Sequence, residues 1–145
     1  KMKHEVYIAF DYGLKKTGVA IAQSITKTAS PLLSLKMHNG EPDWEDIDSI
    51  FENFKPNCAI FGMPTKQINA ANSLAKRINN FSSKIEKRYE ISIRFINEHL
   101  TSKIAKDKLK EQRQEGILLR QIKKGQIDSM AATIILQEWM NREEE

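Results

Sequence analysis

The chain is organised around the stretch from Tyr7 to Ala22, which reads YIAFDYGLKKTGVAIA. One apolar run ends on a carboxylate, Asp11, and a second apolar run begins after a turn that contains glycines and lysines. This pattern predicts a β-hairpin with Asp11 at the end of its first strand. Asp is depleted inside strands. Asp11 therefore either starts a turn by bonding nearby backbone, or serves as a functional carboxylate.

The composition is that of one ordinary globular domain. The 145 residues carry a net charge of +4 and are 40% hydrophobic and 29% charged, which suits a single sizeable core. No apolar run approaches the roughly 18 residues of a membrane span, and one cysteine, Cys58, excludes an internal disulfide. We therefore expect one domain over 1–145, a disordered acidic tail over 140–145 and a cytoplasmic location with no membrane partner. The mild positive charge is compatible with nucleic acid but does not establish it.

Hydrophobic periodicity predicts three strands, followed by alternating helices and strands. The predicted strands are Val6–Phe10, Val19–Gln23, Leu32–Met37, Asn57–Gly62 and Glu90–Ile96. Helices are predicted after an N-cap at Asp43, along a stripe from Ala71 to Ile85, after Thr101, and from about Gln126 to Trp139. The fold class is therefore α/β: a five-stranded mixed sheet, its first three strands an antiparallel meander, flanked by helices.

Two further carboxylates stand at the ends of predicted elements. Glu98 follows the last strand, and ligands of open α/β sheets gather at the carboxyl ends of strands; it could equally be a plain surface residue. Asp128 lies in the first turn of the final helix, where it could simply complement the helix dipole. Its neighbours at helical spacing are all apolar, so the position belongs to the buried stripe: Ala131, Ala132, Ile135 and Trp139.

Three converging carboxylates would repel one another unless a cation bound them. Oxygen ligands of this kind suit Mg²⁺ or Mn²⁺. Two such ions about 3.5–4 Å apart can activate a water and stabilise the leaving oxygen in phosphodiester cleavage. The sequence therefore predicts Asp11, Glu98 and Asp128 as catalytic and metal-binding residues, provided the fold brings them together.

Four other segments, in the order in which they follow the opening hairpin, carry a resemblance to a known family. They are Ser30-Pro31-Leu32, Phe61-Gly62-Met63-Pro64, NEHLTSKIA from Asn97 and KGQIDSMAATIILQEW from Lys124. Across nearly its whole length the chain resembles the YqgF/RuvX family, small bacterial relatives of Holliday-junction resolvases. The resemblance implies a ribonuclease H-like fold with an acidic metal site. It also implies a nuclease that matures the 5′ end of the small-subunit ribosomal RNA precursor, with the three carboxylates as metal ligands.

The chain departs from the family pattern at two places. The family usually has Asp-Glu-Arg where this chain has Asn97-Glu98-His99, so Glu98 must carry that part of the site. The loop Thr65–Asn72 lacks the acidic residue and the glycine that the family tends to carry there.

Basic residues lie a few positions from each carboxylate. They could hold phosphates beside the metals, or they could be solvated surface charges: Lys15, Lys16, Lys103, Lys106, Arg120, Lys123 and Lys124.

Three classes of function remain open at this point. The first is a metal-dependent nuclease acting on structured RNA, such as pre-rRNA or a ribosomal particle, or on branched DNA as a Holliday-junction resolvase would. The second is a non-catalytic RNA- or ribosome-binding module, which the departures at Asn97 and His99 favour. The third is an actin-like ATPase, but those proteins close two domains on the nucleotide and this chain has room for one. A homodimer is compatible with all of them.

Overall fold

The computed structural model describes residues 4–64, 69–97 and 124–143, with side chains from residue 74 onward in the second helix and from 129 onward in the last. Its strands are β1 (Val6–Asp11), β2 (Lys16–Gln23), β3 (Thr28–His38), β4 (Glu41–Pro42), β5 (Cys58–Met63) and β6 (Ser92–Asn97). Its helices are α1 (Trp44–Phe54), α2 (Asn69–Tyr89) and α3 (Lys124–Glu143). The predicted helix after Thr101 lies outside the described residues.

The strands form one mixed sheet in the order β4-β3-β2-β1-β5-β6. The neighbouring strands β1 and β2, β2 and β3, and β3 and β4 pair antiparallel. The pairs β1 with β5 and β5 with β6 are parallel. The predicted mixed sheet and its opening meander are confirmed. The predicted count of five strands is corrected to six, because the turn at Asn39 and Gly40 reverses the chain. Both residues have positive φ, 52° and 87°, as tight hairpin turns require, and β4 follows.

The third strand is longer than its hydrophobic pattern indicates. The predicted strand begins at Leu32, yet Ser30 and Pro31 also lie inside β3. The register shifts between Val19 and Ala20, which pair with Leu33 and Pro31. Pro31 lacks a backbone N–H, and such a bulge accommodates a proline within a strand.

The two faces of the sheet carry different helices. Side chains alternate along a strand, so Ile8 and Phe10 of β1 join the core under α1 and α2. Tyr7 and Ala9 belong instead to the core under α3. The α3 side of β1 and β2 is lined by alanines, which let the helix approach closely: Ala9, Ala20 and Ala22.

The helix ends follow local sequence signals. As predicted, Asp43 caps α1, its carboxylate accepting a hydrogen bond from the Glu45 backbone N–H at 3.1 Å. The last helix begins at Lys124 rather than Gln126 and continues to Glu143. Met140 is buried against the sheet, and this contact explains why α3 extends into the segment expected to be a disordered tail. Among the described residues, no helix is long and apolar enough to cross a membrane.

Candidate functional site

Asp11 ends β1 on the side of the sheet that α3 covers. Its strand alternation places it with Tyr7 and Ala9, and it pairs with Gly18 of β2. Residues directly opposite one another in an antiparallel pair share a face, so the paired position of β2 adds no side chain beside Asp11, and Gly18 itself is buried. Asp11 is half-buried, so it stands at the rim of the core rather than in free solvent.

The turn that follows Asp11 has a fixed backbone. A Cβ on Gly13 would lie 2.3 Å from the Lys16 carbonyl oxygen, so only glycine fits this close approach. The buried Thr17 hydroxyl accepts a hydrogen bond from the Gly13 N–H at 3.2 Å. Lys15 and Lys16 are exposed and are therefore presented beside Asp11 by a rigid turn.

The neighbouring β3–β4 hairpin holds the same turn from the other side. The Gly40 N–H donates to the Leu14 carbonyl at 2.9 Å, and the Met37 N–H donates to the Lys15 carbonyl at 2.8 Å. The Tyr12 hydroxyl donates to the Gly40 carbonyl at 2.8 Å and is buried. These bonds fix the turn without using the lysine side chains.

The direction of α3 is set by contacts in its second half. The rings of Tyr7 and Trp139 meet edge to face, with centroids 5.0 Å apart. The Gln137 side chain accepts from the Ala29 N–H at 3.0 Å and donates to the Lys27 carbonyl at 3.1 Å. The carboxyl end of α3 therefore lies at the amino end of β1, and the helix runs antiparallel to that strand.

This direction brings the beginning of α3 to the end of the sheet where β1 finishes. Asp128 precedes Trp139 by eleven residues, which is ~16 Å of helix. Asp11 follows Tyr7 by four residues, which is ~13 Å of strand. The predicted apolar stripe is confirmed, with Ala131, Ala132 and Ile135 buried and Trp139 packed against the same core. The side chain of Asp128 is outside the described part of the chain.

The strand that leads to Glu98 is one place removed from β1. β5 lies between β1 and β6, but all three run parallel, so their carboxyl ends share one edge of the sheet. Gly62 of β5 pairs with Ile96 of β6. Ile96 packs on the α3 side, and β6 ends at Asn97. Glu98 and His99 themselves lie outside the described residues. Residues 65–68 of the predicted Thr65–Asn72 loop are also outside them, and Asn69 begins α2.

The direction of α3 therefore points its first turns toward the end of the sheet where Asp11 lies, and the third carboxylate is outside the described residues. Within residues 4–64, 69–97 and 124–143, no three His, Cys, Asp or Glu side chains lie together so that they could hold a metal ion; Glu98 and the Asp128 side chain are outside this set. A half-buried carboxylate flanked by Gly18 is a suitable hard ligand for Mg²⁺ or Mn²⁺. Lys103, Lys106, Arg120 and Lys123 lie outside the described residues, and Lys124 is described only as part of α3.

Sequence reasoning missed a charged cluster on the other face. Arg88 of α2 binds both carboxylate oxygens of Asp48 in α1, at 2.8 and 2.7 Å, and its guanidinium lies 5.1 Å from the Trp44 ring centroid. The hydrogen bonds from Arg88, and then the one from the Tyr89 hydroxyl, lower the pKa of Asp48 to about 2. Burial, and then the bond to Asp48, raises the pKa of Tyr89. The cluster joins α1 to α2. Its residues lie 40 positions apart in the sequence, so no local sequence motif predicts it.

Cys58 is the small buried hydrophobe that the sequence predicts. It is free and buried on the α3 side of the sheet, and burial raises the pKa of its thiol. A thiol in that state is a poor nucleophile, so it has no part in the site.

Comparison with known proteins agrees with this architecture. The family model for RuvX, described as a Holliday junction resolvase, matches residues 5–142. A Legionella pneumophila protein named "Putative pre-16S rRNA nuclease" is 34% identical over 99% of this chain and 100% of its own length. An Aeromonas hydrophila protein of the same name is 32% identical over 98% and 99%.

Solved structures show the same fold at low sequence identity. RuvC of T. thermophilus, in complex with a Holliday junction substrate, superposes with a TM-score of 0.60 at 14% identity, over 97% of this chain and 96% of that one. The Fowlpox virus resolvase, in complex with Holliday junction DNA, gives 0.57 at 13% identity, over 97% and 99%. The expected ribonuclease H-like fold is confirmed. With the sequence match spanning nearly every residue, the chain belongs to the RuvX family.

Proposed function

We propose that this protein is a metal-dependent nuclease that hydrolyses phosphodiester bonds in structured RNA, with the precursor of the small-subunit ribosomal RNA as its substrate. The observation that supports it most is the position of Asp11, half-buried at the carboxyl end of β1 and on the side of the sheet where α3 begins. The names of the relatives support the choice of substrate.

The metal ligands in this proposal are the three acidic residues, Asp11, Glu98 and Asp128. Bound Mg²⁺ or Mn²⁺ would supply an activated water and charge stabilisation at the scissile phosphate. The protein's own contribution is to hold one carboxylate on a rigid strand end and to bring a second on the first turns of α3. Gly18, the residue paired with Asp11, adds no side chain of its own beside this carboxylate.

Lys15 and Lys16 have the role of orienting the RNA. Both are exposed on a turn whose backbone is fixed by Gly13 and by the β3–β4 hairpin. Because the turn is already fixed, its backbone need not be ordered when these lysines bind a phosphate, and contacts of this kind set the register of the strand without reading its sequence. The other predicted basic residues would extend this contact. Lys103 and Lys106 follow Glu98 in the sequence, and Asp128 is preceded by Arg120, Lys123 and Lys124.

The test is cleavage of a 5′-extended small-subunit rRNA transcript by the purified protein with Mg²⁺ or Mn²⁺. We expect Asp11→Asn to reduce the rate on the order of 100-fold or more, which corresponds to about 2.7 kcal/mol of transition-state stabilisation. Glu98→Gln and Asp128→Asn are expected to act similarly. The matched control is Asp46→Asn, an exposed carboxylate on α1, which should cleave like the parent.

The same assay separates the alternatives. If Asp11→Asn cleaves as fast as the parent, the carboxylate site is wrong. If the parent binds the transcript but does not cleave it with any divalent metal, the chain is a non-catalytic RNA-binding module. The family description favours a four-way DNA junction as a second substrate, so that junction belongs in the assay. If the protein cleaves the junction and leaves the rRNA transcript uncleaved, its substrate is DNA.

A further inference from the structure

A second basic surface lies on the opposite face of the sheet from Asp11. α2 and the β3–β4 hairpin enclose a groove of about 560 Å³, which we call the α2 groove. Four cationic side chains of α2 line it: Lys76, Arg77, Lys84 and Lys87. Tyr12 and Gly40 lie at its end. We propose that the α2 groove binds the phosphate backbone of RNA outside the catalytic corner; naming RNA as the ligand rests on the proposed function.

Among the groove cations, Arg77 donates one hydrogen bond, to the Asn39 carbonyl at 3.5 Å, and the three lysines are largely uncommitted within the protein. Lys84 pairs with Glu41 at 3.3 Å, but both side chains are more than half exposed, and such a pair contributes little and exchanges readily. Lys76 and Lys87 are exposed and make no ion pair within the described part of the chain. Arg88, one residue further along, is occupied by Asp48 and does not line the groove. The groove therefore presents positive charge that an external anion can satisfy.

The spacing of these cations suits an extended anionic strand. Lys76 and Lys87 are eleven residues apart on one face of α2, or ~16 Å along the helix. At about 3.4 Å of rise per nucleotide in one strand of a duplex, this length spans roughly five phosphates. Asn80 and Ser83 lie between them in the groove and can donate hydrogen bonds to phosphate oxygens.

The lining distinguishes a phosphate backbone from a protein partner. The apolar residues of the groove are Tyr12 and Phe81, and both are buried, at 8% and 3% exposure. Protein interfaces depend on exposed aromatic or apolar anchors that enter pockets, and the groove offers none. Among the described residues, Glu41, which is paired with Lys84, is the one carboxylate that lines the groove, and Glu86 of α2 does not line it.

The groove also continues toward the catalytic corner. Tyr12, at its end, directly follows Asp11, and Gly40 is bonded to the turn that carries Lys15 and Lys16. A strand held in the groove would therefore meet these lysines before it reached Asp11 on the other face. In this arrangement the groove contributes affinity and register, and the carboxylates carry out the reaction.

The experiment compares two triple variants with the same loss of charge. The groove variant is Lys76→Gln/Arg77→Gln/Lys87→Gln. The control is Lys27→Asn/Lys55→Asn/Arg142→Gln, three exposed cations that do not line the groove. Lys27 and Lys55 have positive φ, which Asn tolerates well. Each variant binds a labelled 5′-extended rRNA transcript in EDTA, so that cleavage cannot occur, at several KCl concentrations.

We expect the groove variant to lose binding on the order of 10- to 100-fold at 0.1 M KCl. The slope of log affinity against log salt should fall by about 2–3, or close to one unit for each phosphate contact removed. The control should change far less on both measures, and both variants should keep the parent's melting temperature within a few degrees.

The outcomes are distinguishable from those of the proposed function. Equal weakening of both variants means that only net charge matters and overturns the groove. A groove variant that binds RNA like the control but no longer binds labelled poly-glutamate assigns the groove to an acidic protein and also overturns it. If the parent never cleaves RNA, yet the groove variant alone loses binding, the nuclease proposal fails and the groove stands.

Discussion

The rings of Tyr7 and Trp139 meet edge to face, with centroids 5.0 Å apart and planes at 75°. One ring belongs to the beginning of the first strand and the other to the second half of the last described helix, 132 positions further along the chain. This contact fixes which end of α3 lies at which end of β1. Together with the hydrogen bonds of Gln137, it directs the first turns of α3 toward the end of β1 where Asp11 lies.

A double-mutant cycle on this pair tests the docking of α3. We expect the stability effects of Tyr7→Leu and Trp139→Leu to be non-additive by about 0.5–1.5 kcal/mol, because a directed aromatic pair is worth that much beyond its buried area. Urea unfolding of the four proteins measures the coupling. The control cycle pairs Tyr7→Leu with Phe54→Leu, an exposed residue of α1, and should be additive within about 0.5 kcal/mol. Additivity in the first cycle would mean that α3 does not dock on β1 through these rings.

Gly13→Ala tests the rigid turn beside Asp11. Its Cβ would lie 2.3 Å from a backbone carbonyl, so the turn must shift. We expect a loss of about 1–3 kcal/mol in the free energy of unfolding. We also expect the rate of RNA cleavage to fall under conditions in which the variant is fully folded, so that the loss of stability does not account for it. The control is Leu14→Ala, since this neighbouring side chain is 42% exposed and should change stability by no more than about 0.5 kcal/mol. Parent-like stability and cleavage in Gly13→Ala would show that the turn has no fixed conformation.

The sequence predicted the architecture because its strongest signals are local and periodic. The hairpin around Asp11, the cap at Asp43 and the apolar stripe after Asp128 all depend on residues a few positions apart, and the structure confirms each. The extent of β3 was mispredicted because Pro31 is a breaker by propensity, and only the pairing with β2 shows the bulge that accepts it.

The arrangement of the site depends on long-range packing, which periodicity does not encode. Strand order is an example, since β5 separates the strands of Asp11 and Glu98. The α2 groove is another, because the sequence drew attention to the apolar stripe of α2 and not to its cationic face. The signal was nonetheless present: residues 74–89 contain five cationic side chains and one carboxylate. The corner formed by all three carboxylates stays a prediction.

The Asp48–Arg88 pair should make stability depend on pH in a defined window. The Arg88 hydrogen bonds hold the pKa of Asp48 at about 2, below its ordinary value of 3.8. A carboxyl group with a depressed pKa stabilises the fold above its ordinary pKa, and this contribution is lost as pH falls through the folded value. We therefore expect the melting temperature of Asp48→Asn to lie below that of the parent at pH 5–7, and the two to converge between pH 4 and 2.

Asp46→Asn on the same helix is the control, because this exposed carboxylate makes no ion pair within the described residues and its removal tests the loss of one negative charge alone. Asp48 is well exposed, with 44% of its side-chain surface accessible, so we expect a small effect that salt weakens further. A constant difference between parent and Asp48→Asn from pH 6 to pH 2 would show that the pair does not titrate as described.

Binding of divalent metal should stabilise the folded protein without any RNA present. A ligand at 100 times its dissociation constant adds about 2.7 kcal/mol, which for a domain of this size raises the melting temperature by roughly 5–10 °C. We expect MnCl₂ to produce such a shift in the parent and to produce little or none in Asp11→Asn, while Asp46→Asn shifts like the parent. KCl at matched ionic strength separates metal binding from screening. If Asp11→Asn gains as much as the parent, the metal binds elsewhere. Asp11 would then be retained at the end of β1 for the turn that follows it rather than for a cation.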